Sequence, residues 1–432
     1  MIFDNQLRYA IEIVEAYKGD LPLHVWLKDY FRLNKQMGSR DRKTLGTLVY
    51  GFYRLGHAVK ALPLKDRLLA GLFLCNDQPG ELLVYFKPAW AEKATAPHAE
   101  KIVFFQLQPE GACFRVTDIF PWPDELSTGI DHHAFCLSFL RQPDLFLRIR
   151  PGHEQSVRQK LATPPAEHPA SPYEFIPPFT LRLPNGFKVE DYFTPDHEIV
   201  IQDYSSQRLA SFFLPSTPAT PTVATAPTAP TAPATPTTFW DACAASGGKS
   251  ILAHDLYPQM DITVSDIRES ILHNLRRRFQ QAGIKKYHAF VADLTQALPP
   301  NARPQVLPPN PRPQHPNPQY SRPQHFDLIL ADAPCTGSGT WSRTPEELFF
   351  FNPNKILHYQ AIQKKILGHI AANLTPGSCL VYSTCSVFKK ENEEIAAFLR
   401  ENFGLEQDRM ENIKGYDQRA DSLFAARFGA PV

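Results

Sequence analysis

From residue 238 onward, short apolar runs alternate with amphipathic stretches. TFWDACA, DITVSD, YHAFVAD, FDLILAD and SCLVYST are bounded apolar segments of strand length and read as buried strands. After the second run, Ile271, Leu272, Leu275 and Phe279 share one helical face; before the fifth, Ile362, Ile366, Leu367 and Ile370 do the same. Strands alternating with helices predict an α/β fold with a parallel, doubly wound sheet, whose ligands sit at the carboxyl ends of the strands. Asp241, Asp266, Asp293 and Asp332 fall at or near such ends, and Cys385 follows the fifth strand. Upstream, LGTLVYGFYRL repeats Leu45, Leu48, Val49 and Phe52 at helical spacing, so residues 1 to about 60 read as helical. LFLRIR alternates as a strand, and HEQSVRQKL follows as a helix. Residues 61–140 give no readable period.

Proline interrupts this pattern twice. Of 41 prolines, seven lie between Pro215 and Pro236 and ten between Pro299 and Pro323. Neither stretch has the apolar periodicity of a packed core, so both read as extended, mobile and dispensable surface insertions. The expected organisation is therefore a helical domain at 1–140, a small α+β subdomain at 141–211, an insertion at 212–237 and a catalytic domain at 238–432 carrying a second insertion at 299–324.

Charge changes the picture little. The net charge is +1, so any nucleic-acid surface must be local; the first 60 residues carry ten Lys/Arg against six Asp/Glu. A solvated helical face explains that excess nearly as well. Seven scattered cysteines with no C-x-x-C pair suggest neither a disulfide framework nor a zinc site, and fit reduced thiols in a cytoplasmic protein. The start MIFDNQLRYA has no secretory pattern, and no run of about 18 apolar residues predicts a membrane span.

The chemistry concentrates behind two loops. CAASGGKS lies between a strand and a helix, where small residues let backbone approach a ligand. Asp266 is placed for ribose hydroxyls and Asp293 for an adenine amino group. These features alone fit a dinucleotide or S-adenosyl-L-methionine equally. GGKS is no P-loop, because Cys243 stands where that motif needs glycine. A bland reading is that the glycines only make a tight turn. DAPCTGSG follows the fourth strand and STCS ends the fifth, so neighbouring strands would bring Cys335 and Cys385 to one cleft. The bland alternative for a cysteine is burial as a small hydrophobe, which suits Cys75, Cys113, Cys136 and Cys379. A thiolate beside a methyl donor has a use: addition to carbon 6 of a cytosine makes carbon 5 nucleophilic enough to take a methyl group. A carboxyl group beside the ring nitrogen and amino group would stabilise that adduct, and Asp332 is placed for it.

IQDYSSQ, DACAASGGKS, VSD at 264–266, ADL at 292–294, DAPCTGSGTWSRTPE and YSTCSVFKKENE together resemble the Sun/Fmu-type RNA cytosine-5 methyltransferases, most closely those acting on bacterial small-subunit ribosomal RNA. The resemblance is strong over about 141–432 and weak over 1–60. It implies a Rossmann-like methyltransferase domain behind a helical NusB-like RNA-binding domain, with ADSLFAARF as the final strand. It implies S-adenosyl-L-methionine as cofactor, held by Cys243, Ala244, Ala245, Ser246, Gly247, Gly248 and Lys249 with Asp266, Asp293 and Asp332. It further implies Cys385 as the nucleophile and Cys335 in product release. Arg148 and Arg343 fall where the family tends to carry basic residues, for phosphate contact or simply on a solvated surface. The implied partner is RNA, ribosomal first and transfer RNA second, met by a monomer without a membrane. Ser246 stands at a usual proline, Ser378 at a usual glycine, and D-S-L-F at a usual D-G-F-F. A ribosome-assembly factor without catalysis would not need both Cys335 and Cys385. A nicotinamide-dependent dehydrogenase has no use for DAPC with TCS, and amino-group methyltransferases usually carry D/N-P-P-aromatic after the fourth strand.

Overall fold

A computed structural model describes residues 3–163, 172–214, 235–296, 325–371 and 374–430 of the chain. The insertion expected at 299–324, and all but the flanks of that at 212–237, lie outside the described residues. The chain divides into two compact units. One comprises Met1–Pro143, Gly337–Lys355 and Tyr416–Arg419; the other comprises Asp144–Thr336, Ile356–Gly415 and Ala420–Val432.

The first unit is helical. Its longer elements are α1 (Phe3–Ala16), α2 (Leu23–Leu33), α3 (Ser39–Arg54) and α4 (Leu64–Cys75). Helix α3 buries Leu45, Leu48, Val49 and Phe52, the face its spacing predicts. Helix α4 explains why the sequence beyond 60 resists reading: Arg67 through Leu74 are all buried, which erases the amphipathic period. The two helices touch at Gly51 and Gly71, where a Cβ on Gly71 would lie 2.4 Å from the Gly51 carbonyl carbon. Buried Arg67 donates to the carbonyls of Ala58 at 2.5 Å and Gly56 at 2.7 Å, satisfying the chain where it leaves α3. The segment 337–355 completes this core. Glu346 accepts from the Leu23 amide at 3.0 Å, His57 Nε2 meets the Leu348 carbonyl at 3.0 Å, and Phe350 packs on Tyr17 with ring centres 5.6 Å apart.

The second unit holds two sheets. In the smaller, β1 (Leu145–Ile149), β2 (Glu174–Ile176), β3 (Thr180–Leu183) and β4 (Ile199–Ile201) pair antiparallel in the order β2-β3-β1-β4. The larger contains β5 (Thr238–Asp241), β6 (Asp261–Asp266), β7 (Tyr287–Val291), β8 (Leu328–Asp332), β9 (Cys379–Thr384), β10 (Glu406–Ile413) and β11 (Leu423–Gly429). Its order is β10-β11-β9-β8-β5-β6-β7. Five strands are parallel, as the alternating pattern predicts. The sheet as a whole is mixed, because β11 runs antiparallel to both β9 and β10.

Alternation along the strands builds two cores. Phe239, Leu328 and Leu330 face α5 (Gly248–Leu256) and α6 (Glu269–Gln281), where Leu272, Leu275 and Phe279 are fully buried. Trp240, Ile329 and Leu380 face α7 (Asn354–Ala371) and α8 (Glu393–Phe403). Each such side chain contributes about 1.5–3 kcal/mol through burial. The strand order reverses between β5 and β8, opening a crevice at their carboxyl ends.

Arg148 and Arg150 on and beside β1 both pair with Asp255 on α5, at 2.5 and 2.7 Å. Burial would raise the Asp255 pKa; His254 at 3.9 Å and the two guanidinium groups outweigh that and hold it well below the usual carboxylate range. A depressed carboxylate stabilises the fold above the unfolded aspartate pKa, about 3.9, and loses that contribution as pH falls below it. Asp255→Asn should therefore cost about 3–5 kcal/mol at neutral pH, because two buried cations lose their partner. Its Tm should also fall less than the parent's between neutral and acidic pH. Parallel acid slopes in calorimetric scans of the two proteins would show that Asp255 carries no such linkage.

Candidate active site

The loop Ala242–Gly247 is shaped by backbone before any side chain acts. Ala242 N–H donates to Leu330 O and Ala244 N–H to Ser265 O, both at 2.8 Å, pinning the loop to β8 and β6. Gly247 has φ +83°, and a Cβ there would lie 2.8 Å from the Phe279 ring, so glycine is required on both counts. The first turn of α5 then points Lys249 inward.

A cavity of about 260 Å³ opens beside this loop. Cys243, Ala244, Ala245, Ser246, Gly248, Lys249 and Asp332 line it, as do Gln202, Asp203, Asp241 and Arg278. Gly247, Asp266, Asp293, Cys335 and Cys385 are not among its lining residues. Burial pushes the Cys243 thiol far up, which keeps it protonated. Asp266 is buried under the loop, accepting from the Ala245 amide at 3.0 Å and the Arg268 amide at 2.9 Å, with the Arg268 side chain on the same carboxylate. Asp293 is exposed and accepts from the Thr295 amide and hydroxyl, which lower its pKa; the structure does not bring it to the cavity.

Lys249 Nζ lies 2.5 Å from Asp332 Oδ2, and Ser383 Oγ donates to Asp332 Oδ1 at 2.6 Å. Burial opposes the Lys249 charge, but Asp332 first and Cys385 next outweigh it and raise its pKa. The thiols of Cys335 and Cys385 are 3.4 Å apart, at the ends of the adjacent parallel strands β8 and β9. Thus Lys249, Asp332, Cys335 and Cys385 gather at one place.

Asp241 was placed at a strand end by the sequence but not counted among the cofactor residues. Burial pushes its pKa up to about 7. Ser250 Oγ donates to Oδ2 at 2.6 Å, while Oδ1 is buried at the cavity wall with no hydrogen-bond partner among the described residues. That orphaned acceptor is the signature of a site for a polar ligand. IQDYSSQ supplies four wall residues, Ile201, Gln202, Asp203 and Ser206. Arg148 reaches the cavity only through Gln202, donating from Nε to Oε1 at 2.8 Å. It is 5% exposed, so it is neither a phosphate contact nor a surface arginine; burial against Asp255 excludes both readings. Arg343 is half-buried in the helical unit. Ser246, at the usual proline, receives Arg278 on its hydroxyl at 3.0 Å, while Arg278 also pairs with Asp196 at 2.7 Å.

The sheet order and the glycine loop over a reversal crevice define a Rossmann-like S-adenosyl-L-methionine-dependent methyltransferase fold. Acidic wall groups with an unmet acceptor, facing loop amides at a helix start, fit a ligand carrying both an ammonium and a carboxylate.

Residues 230–425, just under half of the chain, match the family model described as 16S rRNA methyltransferase RsmB/F. Ribosomal RNA small subunit methyltransferase B of Salmonella newport (strain SL254) is 29% identical over 203 residues, 47% of this chain and 38% of that protein. The probable enzyme of that name from Bacillus subtilis (strain 168) is 27% identical over 230 residues, 53% of this chain and 43% of that protein. The chain thus spans less than half the length of the curated relatives it matches. The solved structure of PH0851 shares the fold over nearly the whole chain: TM-score 0.63, 17% identity, covering 97% of this chain and 96% of that one.

Proposed function

We propose that the protein is an S-adenosyl-L-methionine-dependent RNA cytosine-5 methyltransferase acting on small-subunit ribosomal RNA, as a monomer in the cytoplasm. The observation that carries this reading is the pair of thiols 3.4 Å apart beside the Lys249–Asp332 ion pair. The names of the relatives support the RNA class. The helical unit would hold the RNA, as the likeness of SRDRKTLGTLVYGFYR to NusB-like domains implies.

In this reading Asp241, Asp203 and the loop Cys243–Lys249 hold the cofactor, with Asp266 bracing the loop. The bound cofactor would supply an electrophilic methyl group. The Cys385 sulfur adds to carbon 6 of the cytosine, which turns carbon 5 into the nucleophile. The proton lost from the Cys385 thiol passes to the ring nitrogen, and Asp332, held at both oxygens, accepts from that N–H and from the amino group and so stabilises the adduct. Once carbon 5 has taken the methyl group, a base, water at the least, removes its proton; that electron pair re-forms the 5,6 double bond as the carbon 6–sulfur bond breaks and the Cys385 sulfur leaves. Cys335 assists that release.

Asp266→Ala should weaken S-adenosyl-L-methionine binding by about 1–3 kcal/mol, since loop amides lose a desolvated charged acceptor. Unchanged affinity in titration calorimetry would take Asp266 out of the site. The function itself is tested by bisulfite sequencing of total RNA from cells with and without the protein. A ribosomal cytosine protected only when the protein is present is the expected result; protection confined to transfer RNA would move the substrate there.

A further inference from the structure

Behind the two cysteine loops lies a buried carboxylate that the reaction itself does not use. Glu391 is fully buried in the turn between β9 and α8. Its Oε1 accepts from the Thr336 amide at 2.9 Å, and its Oε2 accepts from the Thr336 hydroxyl at 2.6 Å and from Ser386 Oγ. Gln363 also bonds to it, and the same glutamine donates to the Pro334 carbonyl at 3.0 Å. Pro334 and Thr336 flank Cys335; Ser386 follows Cys385. One carboxylate therefore gathers residues from both sides of one cysteine and one side of the other. The neighbouring Asn392 reinforces it, accepting from Thr384 at 2.6 Å and donating to the Ser386 carbonyl at 2.9 Å. Burial raises the Glu391 pKa while these neutral donors lower it, and burial prevails. A carboxyl group desolvated to this degree is held by its donors rather than by a counter-ion.

We propose that Glu391 is a positioning residue that clasps the Cys335 and Cys385 loops together and so sets the thiol geometry on which covalent catalysis depends. The proposal rests on the methyltransferase reading for its consequence, though not for its geometry. Two thiols at 3.4 Å need only a small closure to reach the 2.05 Å or so of a disulfide, so their oxidation reads the clasp directly. Diamide serves as oxidant: it takes two electrons and two protons from the pair, both S–H bonds break, one S–S bond forms, and diamide becomes the hydrazine.

The experiment treats the full chain with diamide and follows the Cys335–Cys385 peptide link by mass spectrometry, with thermal unfolding as the fold control. The parent should form the link readily. Glu391→Ala should form it at least about tenfold more slowly, since loss of an enforced juxtaposition acts on rate. It should also methylate target RNA correspondingly slowly in a single turnover. Glu391→Gln retains the shape and one acceptor and should restore both rates to within about threefold. A role confined to stability would lower Tm in Glu391→Ala yet leave both rates of the folded fraction at parent values, and that result overturns the proposal. Should Glu391→Ala fail to fold, Thr336→Val removes a single hydroxyl donor; link formation at the parent rate in that variant overturns the proposal equally. A parent that forms the link but methylates no RNA would refute the methyltransferase reading while leaving the clasp supported.

Discussion

Cys385→Ala should lose turnover by several orders of magnitude, and Cys335→Ala should instead accumulate RNA as a denaturant-resistant complex. The first expectation follows from chemistry: carbon 5 of cytosine does not attack a methyl sulfonium unless a nucleophile has first added at carbon 6. No other side chain can substitute for that covalent step. The second follows from the separation of roles. A variant that still adds through Cys385 but releases slowly keeps its RNA attached. The double variant should trap nothing. A denaturing gel shift with target RNA and S-adenosyl-L-methionine reads all three proteins at once. Trapping by Cys385→Ala and not by Cys335→Ala would reverse the assignments, and with sulfurs 3.4 Å apart a substrate entering from the other side makes that reversal geometrically simple. Trapping by neither, with activity lost in both, would leave the covalent mechanism without support.

Asp332→Asn should slow the chemical step by about 100- to 1000-fold, the usual cost of removing one preorganised electrostatic group. Two effects act together. The adduct loses a charged acceptor, and Lys249 loses the carboxylate that raises its pKa. The ion pair is only partly sheltered, with side-chain exposures of 16% and 27%, so the stability cost should stay near 1–2 kcal/mol after solvent screening. Single-turnover rates at saturating cofactor separate chemistry from binding. A loss smaller than about tenfold would remove Asp332 from the stabilisation of the adduct.

Much of the catalytic fold was legible because its strands are buried on both faces and its helices on one. DITVSD coincides with β6, and FDLILAD and SCLVYST contain β8 and β9. Strand β10 was missed for a physical reason: Glu406–Ile413 is an edge strand with only Ile413 buried, so EQDRMENI carries almost no apolar signal. Helix α4, just beyond residue 60, was missed for the opposite reason, burial on every side from Arg67 to Leu74. In the site, strand-end logic found the two cysteines and Asp332, which meet. It also named Asp293, which follows the edge strand β7, two strands from β5, and is exposed away from the cavity. Glu391, although it lies in the run YSTCSVFKKENE, was given no role, since a carboxylate among the charges of KKENEE reads as solvated surface until the fold buries it. Arg148 was visible but misread, because its partner Asp255 lies more than a hundred residues away.

The helical unit is not finished when its own stretch of chain is finished. Its core needs Glu346, Leu348 and Phe350, which follow Pro143 by roughly two hundred residues. At synthesis rates of about 5–20 residues per second, that interval is about 10–40 s, during which the amide of Leu23 and the faces of Tyr17 and Tyr53 wait without their partners. N-terminal-first completion on the ribosome, the common order for chains built of successive domains, is thus delayed in this one. Its earliest helices are completed late, and a nascent chain arrested before residue 345 is an exposed apolar surface of the kind that chaperones recognise.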